Sequence, residues 1–158
     1  MRAGEISFTA PYVVIEGTYL VPADSALRTV EDVDRDGVRI AVGRGSAYDL
    51  YLTRTLTRAQ IVRAPTSPSV IDLFRAEKLE VAAGVRQQLV QFATGRSDMR
   101  VMPGRFMVIE QAMAMPRGRE EALPTLRAFV EEMKSTGFVA SALERSDQRD
   151  AQVAPPAR

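Results

Sequence analysis

Residues 39–52 of the chain are RIAVGRGSAYDLYL. The run Val38–Val42 is mostly apolar and β-branched, which predicts a short strand, and the glycines that follow interrupt it. Ser46 then opens a segment with helical spacing. It is a favourable N-cap residue, and Asp49 stands three residues later, as in a capping box. The stretch therefore predicts a strand, a glycine turn and a helix in direct succession.

The start of this predicted helix is a candidate anion site formed by Gly45, Ser46 and Ala47. A helix start leaves backbone N–H groups unpaired and carries partial positive charge, and glycines let a ligand approach the main chain. The letters GRGS form neither a Walker loop nor a complete GxGxxG motif. Because similar turns occur in α/β proteins without any ligand, an anion site and a purely structural turn are both open interpretations.

Composition narrows the function classes. The chain has 158 residues with 46% hydrophobic content, enough for one domain or parts of two. Its 21 basic and 20 acidic residues give a net charge of +1, so no nucleic-acid footprint is present and a small partner is expected. Cysteine and histidine are absent, which excludes thiolate and imidazole metal sites and Ser-His-Asp catalysis. We expect no metal and no cofactor.

The remaining segments alternate between extended and helical patterns. Extended segments are predicted at Ile6–Phe8, Tyr12–Val21, Gln60–Arg63, Leu79–Ala83 and Met99–Met102. Helices are predicted after Ser67-Pro68, from Val85 to Phe92, and after Glu120. This alternation is typical of an open sheet with helical crossovers, in which ligands bind beyond the carboxyl ends of the strands. The turns at Gly45-Ser46 and Gly84-Val85 would then face one crevice.

Four segments in this order resemble a known family. They are ISFTAPY at 6–12, TVEDVDRDGVRIAVGRGSAYDLYL at 29–52, the predicted strand and helix from Gln60 to Leu79, and PRGREEALPTLRAFVEEMKSTGFVASAL at 116–143. Together they are similar to solute-binding proteins of amino-acid-type ABC transporters. These proteins form family 3 and have the periplasmic binding protein type II fold. The resemblance extends from Arg2 to about Arg145.

The resemblance implies an α/β fold with one complete three-layer αβα lobe and a partial second lobe. Residues 1–22 would be a remnant of the first lobe and a crossover, and 23–105 the complete second lobe. Residues 106–145 would hold the return crossover and the first lobe's C-terminal helices, and 146–158 a disordered tail. Most of the first lobe would lie outside this chain.

The resemblance also implies a ligand site. Arg2 aligns with the arginine that grips the ligand carboxylate, which suits the bidentate geometry of a guanidinium, although a solvated terminal residue is the other interpretation. Ser46 matches the Ser/Thr of the family's Gly-Thr turn, and Tyr12 would lie near the crossover. The family's amine-binding aspartate aligns with Val85, and the neighbouring Arg86 has the wrong charge for an ammonium.

We therefore expect a small organic anion that lacks an α-ammonium, unless Glu80 or Asp49 replaces the missing aspartate. The same residues also fit a simpler interpretation, with Val85 in the core and Arg86 facing solvent. The expected role is non-enzymatic: delivery of an organic anion or amino-acid-like solute to an ABC transporter permease. By resemblance the location is periplasmic, although no signal peptide and no run of membrane-spanning length is present.

Two alternatives use the same fold. One is an enzyme of the cyclohexadienyl dehydratase type, which needs a cleft carboxylate with a raised pKa. Glu80 is a candidate for it, although its strand position favours a structural role. The other is a truncated or sensor module without a transport function. The C-terminal helix also has an apolar face that needs a partner, which predicts a homodimer through the incomplete first lobe. Its residues are Leu123, Leu126, Phe129, Val130 and Met133.

Overall fold

The structure is a computed structural model that describes residues 6–148 and 151–157. The strands are β1 (Ile6–Pro22), β2 (Arg39–Gly43), β3 (Gln60–Ala64), β4 (Val81–Val85), β5 (Met99–Val101), β6 (Met107–Pro116) and β7 (Gln152–Val153). The helices are α1 (Ala47–Thr55), α2 (Val70–Ala76), α3 (Arg86–Ala93), α4 (Leu123–Ser135) and α5 (Phe138–Arg145), with short 3-10 helices at Val30–Val33 and Glu120–Ala122. No helix in the described ranges has the length and apolar character needed to cross a membrane.

The chain divides into two compact units. Residues 16–108 form one, here called the central unit, and residues 1–15 with 109–158 form the other, here called the terminal unit. The expected lobe boundaries, 22/23 and 105/106, remain a prediction.

The central unit contains an open sheet with the strand order β3-β2-β4-β1-β5. β2 runs parallel to β3 and to β4, whereas β1 is antiparallel to β4 and β5. Helices α1 and α2 connect the parallel strands in sequence order. The predicted sheet with helical crossovers is confirmed, and the carboxyl ends of β2, β3 and β4 lie along one edge.

Alternating strand residues supply a core on each face of this sheet. One core contains Ile40 and Val42 of β2 together with Leu52 of α1. The other contains Ala41 of β2 together with residues of α2 and α3, such as Phe74 and Leu89. Because successive side chains of a strand point to opposite faces, one apolar run fills both cores. The result is the three-layer αβα arrangement that the sequence predicts.

Two predicted boundaries at the site edge are wrong. Helix α2 begins at Val70 with Ser69 as its N-cap residue, not at Ser67-Pro68. The preceding turn is closed by its own hydrogen bonds, since Ser69 Oγ donates to the carbonyl of Thr66 at 2.9 Å. Strand β4 continues through Gly84, which was expected to break it. Gly84 pairs with Thr18 of β1, and a Cβ there would lie 3.2 Å from Leu89 Cδ2, so this glycine makes room for α3.

In the terminal unit, β6 and β7 both pair with β1. β1 is one continuous strand, not two segments separated at Pro11. Proline has no N–H to donate to a strand partner. The Pro11 carbonyl accepts a side-chain hydrogen bond from Lys134 Nζ at 3.2 Å. Helix α4 begins at Leu123 with Pro124 in its first turn, as the proline position predicts.

The expectation of a disordered tail does not hold at residues 151–157. Gln152 and Val153 form β7 and pair with Val14 and Val13 of β1. Ala154 is only 3% exposed, and its N–H donates to the carbonyl of Tyr12 at 3.0 Å. Prolines and charges predict disorder from composition alone, but they do not prevent a short segment from pairing with an open strand edge.

Candidate functional site

The turn between β2 and α1 has the predicted geometry. Gly45 has φ +72°, in the left-handed region that glycine adopts most easily. Ser46 is the N-cap residue, and its Oγ accepts a hydrogen bond from Asp49 N at 3.0 Å. Asp49 Oδ2 in turn accepts one from Gly45 N at 2.8 Å. The glycine turn and the Ser46 cap are therefore confirmed as local structure, whereas Asp49 accepts from Gly45 N and not from Ser46 N as a capping box requires.

Asp49 is fully engaged inside the protein. Its carboxylate also accepts hydrogen bonds from Arg63 Nε at 3.0 Å and Thr53 Oγ1 at 3.2 Å, and the residue is 4% exposed. It is therefore unable to replace the missing ammonium partner. The Gly45 N–H donates a hydrogen bond to Asp49, so this amide is not free to bind a ligand. Gly45 therefore shapes the turn and does not contact a ligand through its amide.

The groups left free at this helix start are the amides of Ala47 and Tyr48 and the hydroxyl hydrogen of Ser46. Within the described ranges, no protein acceptor takes either amide. Ala47 is exposed and Ser46 is half-buried. These donors stand at the positive end of α1, where an anion is favoured.

The carboxyl end of β4 carries Val85 and Arg86. Val85 is the residue before α3 and pairs with Gly17 of β1. Arg86 Nε donates to Glu16 Oε2 at 2.8 Å, and Arg86 also donates to the Gly104 carbonyl. Arg105 Nη1 donates to Glu16 Oε1 at 2.7 Å. Arg86 is therefore held by β1 and by the residues that follow β5. The sequence around Val85 and Arg86 does not indicate this structural role.

Glu16 has a displaced pKa. Burial by itself would raise it, but the hydrogen bonds and charges of Arg86 and Arg105 outweigh burial and hold the pKa of this carboxyl below its ordinary value. Glu16 is thus ionised at neutral pH and is paired twice. Sequence reasoning missed Glu16 because its two partners lie 70 and 89 residues away.

Glu80 lies at the opposite edge of the sheet. It precedes β4 and accepts hydrogen bonds from Arg39 N at 2.8 Å, Arg39 Nε at 3.0 Å and Arg39 Nη2 at 2.9 Å. The side-chain hydrogen bond from Arg39 holds the pKa of Glu80 below its ordinary value. Glu80 therefore neither replaces the ammonium partner nor has the raised pKa of a general acid.

A cavity of about 360 Å³ opens at the carboxyl edge of the central sheet. Its lining combines polar groups with apolar walls: Tyr48, Ser67, Pro68, Val70, Ile71, Asp72, Ala83, Gly84, Gln88, Leu89, Gln91 and Phe92. Tyr48 belongs to the first turn of α1, so the cavity adjoins the helix start. Gly84 also lines it, but the predicted site residues Gly45, Ser46, Ala47, Val85 and Arg86 are not among its lining residues. A single crevice that joins the two predicted turns therefore stays a prediction.

Ser67 joins this cavity to the end of β2, and sequence reasoning missed it as a site residue. A Cβ on Gly43 would lie 2.6 Å from Ser67 Oγ and 2.7 Å from Ser67 Cα. The neighbouring turns are also tied together, since Arg44 N donates to the Ala64 carbonyl at 3.0 Å. Only a glycine at position 43 allows Ser67 to approach the end of β2 so closely. Gly43 is therefore the one sequence signal that could have indicated Ser67.

Arg2 and Tyr12 are the two other predicted site residues. Arg2 lies outside the described residues, so its approach to Ser46 stays a prediction. Tyr12 is half-buried in β1 of the terminal unit. It lines an apolar cavity of about 270 Å³ together with Met113, Phe129 and Phe138. A ligand role for Tyr12 also stays a prediction.

No protein-family model matches the sequence, and no curated protein matches it. Solved structures do match. A putative binding component of an ABC transporter from Wolinella succinogenes, complexed with lysine, has a TM-score of 0.75 at 16% identity, over 89% of this chain and 62% of its own. The GluR0 ligand-binding core in complex with L-glutamate has a TM-score of 0.76 at 17% identity, over 91% of this chain and 65% of its own.

An ancestral amino-acid-binding protein, described as a precursor of cyclohexadienyl dehydratase, has a TM-score of 0.73 at 19% identity, over 91% of this chain and 62% of its own. The chain has the fold of the type II periplasmic binding proteins. It spans less than two thirds of the length of these three structures.

Proposed function

We propose that this chain is the solute-binding part of an ABC transporter, and that it holds a small carboxylate-bearing solute without an α-ammonium for delivery to a membrane permease. The observation that carries the proposal is the set of free donors at the start of α1, namely the amides of Ala47 and Tyr48 with the Ser46 hydroxyl. The role is one of binding, without a cofactor, in the periplasm.

A carboxylate suits these donors for two reasons. Charge-assisted hydrogen bonds from backbone N–H groups to a carboxylate are shorter and stronger than neutral ones. The helix start adds favourable potential without a nearby uncompensated acid, because Asp49 is already neutralised by Arg63. We propose Arg2 as the second carboxylate partner, with Gly45 shaping the turn and Tyr12 near the crossover.

The proposal excludes an α-ammonium because the two acids beside the α1 start and the end of β4 are already paired. Asp49 and Glu16 are both held by arginines, and Val85 offers no charge. An α-amino acid would bury a cation without a partner, at a cost of about several kcal/mol. Val85 and Arg86 would then form a wall of the site rather than contact an ammonium.

The enzyme alternative has less support. A dehydratase on this fold needs a carboxyl group whose pKa is raised so that it can donate a proton. Among the described acids with a clearly displaced pKa, each is displaced downward: Glu16, Asp32, Asp34, Glu80, Glu120 and Glu131. A sensor module would share the binding step and differ only in its partner.

A thermal-shift panel tests the ligand class. Succinate and an aromatic carboxylic acid should raise the melting temperature more than glutamine or arginine, since a ligand stabilises by RT ln(1 + [L]/Kd). Ser46→Ala should weaken the response to the carboxylates, whereas Ser135→Ala, far along α4, should leave it unchanged. Stronger stabilisation by glutamine or arginine than by the carboxylates would contradict the proposed function.

A further inference from the structure

We propose that the cavity beside the α1 start binds a cationic group of the solute that is remote from its carboxylate, so that the substrate class is an ω-amino or ω-guanidino carboxylic acid. This inference rests on the proposed function, because the carboxylate end is assigned to the α1 start. The cavity would select among carboxylates by the group at their far end.

The first argument is position. The backbone amide of Tyr48 is one of the free donors at the start of α1, and Tyr48 also lines the cavity. Ser67, packed against the end of β2, lines the cavity as well. A solute whose carboxylate lies on the α1 amides therefore has the cavity directly beside it. The volume of about 360 Å³ falls in the range of small-molecule pockets.

The second argument is an unpartnered polar side chain. Tyr48 is only 5% exposed and lines the cavity, and no hydrogen bond joins its hydroxyl to another described residue. A buried tyrosine hydroxyl usually finds a partner. A ligand N–H donor in the cavity would supply one.

The third argument is charge. Asp72 is the one charged residue among the described residues that line the cavity, and no arginine or lysine in the described ranges pairs with it. Arg75 follows Asp72 by three residues on α2 but forms no ion pair with it in the described ranges, and Arg96 stacks on the Phe92 ring with its guanidinium carbon 4.5 Å from the ring centre. An unpaired carboxylate at a cavity that also offers oxygen atoms of Ser67 and Gln88 favours a cation with several N–H donors.

The apolar walls complete the match. Val70, Ile71, Leu89 and Phe92 line the same cavity, and a chain of methylene groups between the two charged ends would bury its apolar surface against them. An α-amino acid places its ammonium one carbon from the carboxylate, at Val85 rather than at Asp72. The position of the ammonium, not its presence, would therefore decide binding.

Isothermal titration of the full chain with four five- and six-carbon acids tests this. 5-Aminopentanoate and norvaline are positional isomers, and hexanoate and adipate replace the terminal ammonium by a methyl group and by a carboxylate. We expect 5-aminopentanoate to bind about fivefold more tightly than hexanoate, which corresponds to roughly 1 kcal/mol for an ion pair with the exposed Asp72. Norvaline and adipate should bind more weakly than either.

Variants locate the effect. Asp72→Asn should bring the ratio of 5-aminopentanoate to hexanoate affinity close to one, mainly by weakening the binding of 5-aminopentanoate. Asp24→Asn, which changes an exposed aspartate outside the cavity, should preserve the ratio. Tyr48→Phe should lower the affinity for 5-aminopentanoate more than that for hexanoate, and circular dichroism of each variant reports whether it is folded.

The possible outcomes distinguish a failure of this inference from a failure of the proposed function on which it rests. Equal binding of 5-aminopentanoate and hexanoate, or a preference that survives Asp72→Asn, would overturn the cation subsite. The carboxylate site would stand in that case if Ser46→Ala still weakens hexanoate binding. Absence of binding by all four acids would overturn both the proposed function and this inference.

Discussion

The central and terminal units differ in how completely they bury their apolar side chains. In the central unit Tyr19, Leu20, Ile40 and Leu52 are at most 1% exposed, in cores on both faces of the sheet. In the terminal unit the large aromatic side chains lie in the open: Phe8, Phe129 and Phe138 are 51%, 46% and 56% exposed. Val130 is the one residue of the predicted α4 face that is buried there.

This difference assigns the two units different roles. The central unit closes its own cores, which lets it hold the α1 start and the neighbouring cavity in fixed geometry. The terminal unit keeps an apolar cavity and exposed phenyl rings, and such surfaces in soluble proteins mark interaction sites. Stability should therefore come mainly from the central unit, and association from the terminal one.

The largest effect is expected from truncating the central core. Leu52→Ala removes a side chain that is 1% exposed and should lower the free energy of unfolding by about 2–5 kcal/mol. Phe138→Ala, at 56% exposure, should cost less than about 1 kcal/mol. Urea unfolding of both variants measures this, and equal losses would break the distinction between the units.

The next effect concerns the contact between the end of β2 and Ser67. Gly43→Ala forces a methyl group to within 2.6 Å of Ser67 Oγ, and overpacking of this kind costs about 1–3 kcal/mol. Gly45→Ala meets no atom within 4 Å but has a positive φ, so about 1 kcal/mol of backbone strain is expected. Gly43→Ala should also weaken carboxylate binding, which titration of the folded variant measures. An unchanged affinity would show that the contact between Gly43 and Ser67 does not support the carboxylate site.

Association should arise from the terminal unit. In a solution of the purified chain, the surface available to cover Phe129 and Phe138 is a second copy, so we predict a concentration-dependent homodimer. Phe138→Glu should weaken association about tenfold, because it places a charge in an apolar contact. Light scattering at several concentrations measures this, and a stable monomer at every concentration would show that these side chains need no partner.

The smallest effect is a pH dependence of the central unit. Because the pKa of Glu16 is lowered in the folded state, its contribution is present above the unfolded pKa and is lost as pH falls through the folded value. Glu16→Gln should cost about 1 kcal/mol at pH 7 and flatten the decline of stability below about pH 4.5. Identical slopes for the variant and the parent chain would contradict the assignment.

The sequence predicted features that depend on neighbouring residues. Ser46 and Asp49 are three positions apart, and the hydrogen bond from Asp49 N to Ser46 Oγ follows from local helix geometry. The order of strands and helices was equally accessible from apolar periodicity. The sheet with helical crossovers was therefore predictable from the residues, and the three layers of the central unit were implied by the family resemblance.

What the sequence did not predict depends on distant contacts. Glu16 is paired across the sheet, and Ser67 is defined by its approach to Gly43. Gly84 resembles a strand breaker in sequence. The structure shows that a glycine at this position leaves space for the Leu89 side chain. The tail was expected to be disordered because composition does not reveal the open edge of β1 that pairs with Gln152 and Val153.

The central claim is that a carboxylate binds the free amides at the start of α1, and NMR of the uniformly ¹⁵N-labelled chain tests it most directly. Titration with hexanoate should shift the amide resonances of Ala47 and Tyr48 progressively to saturation, and Ser46→Ala should weaken that response. If these two resonances stay in place while those around the terminal-unit cavity at Val139 move, the carboxylate site assigned here is wrong.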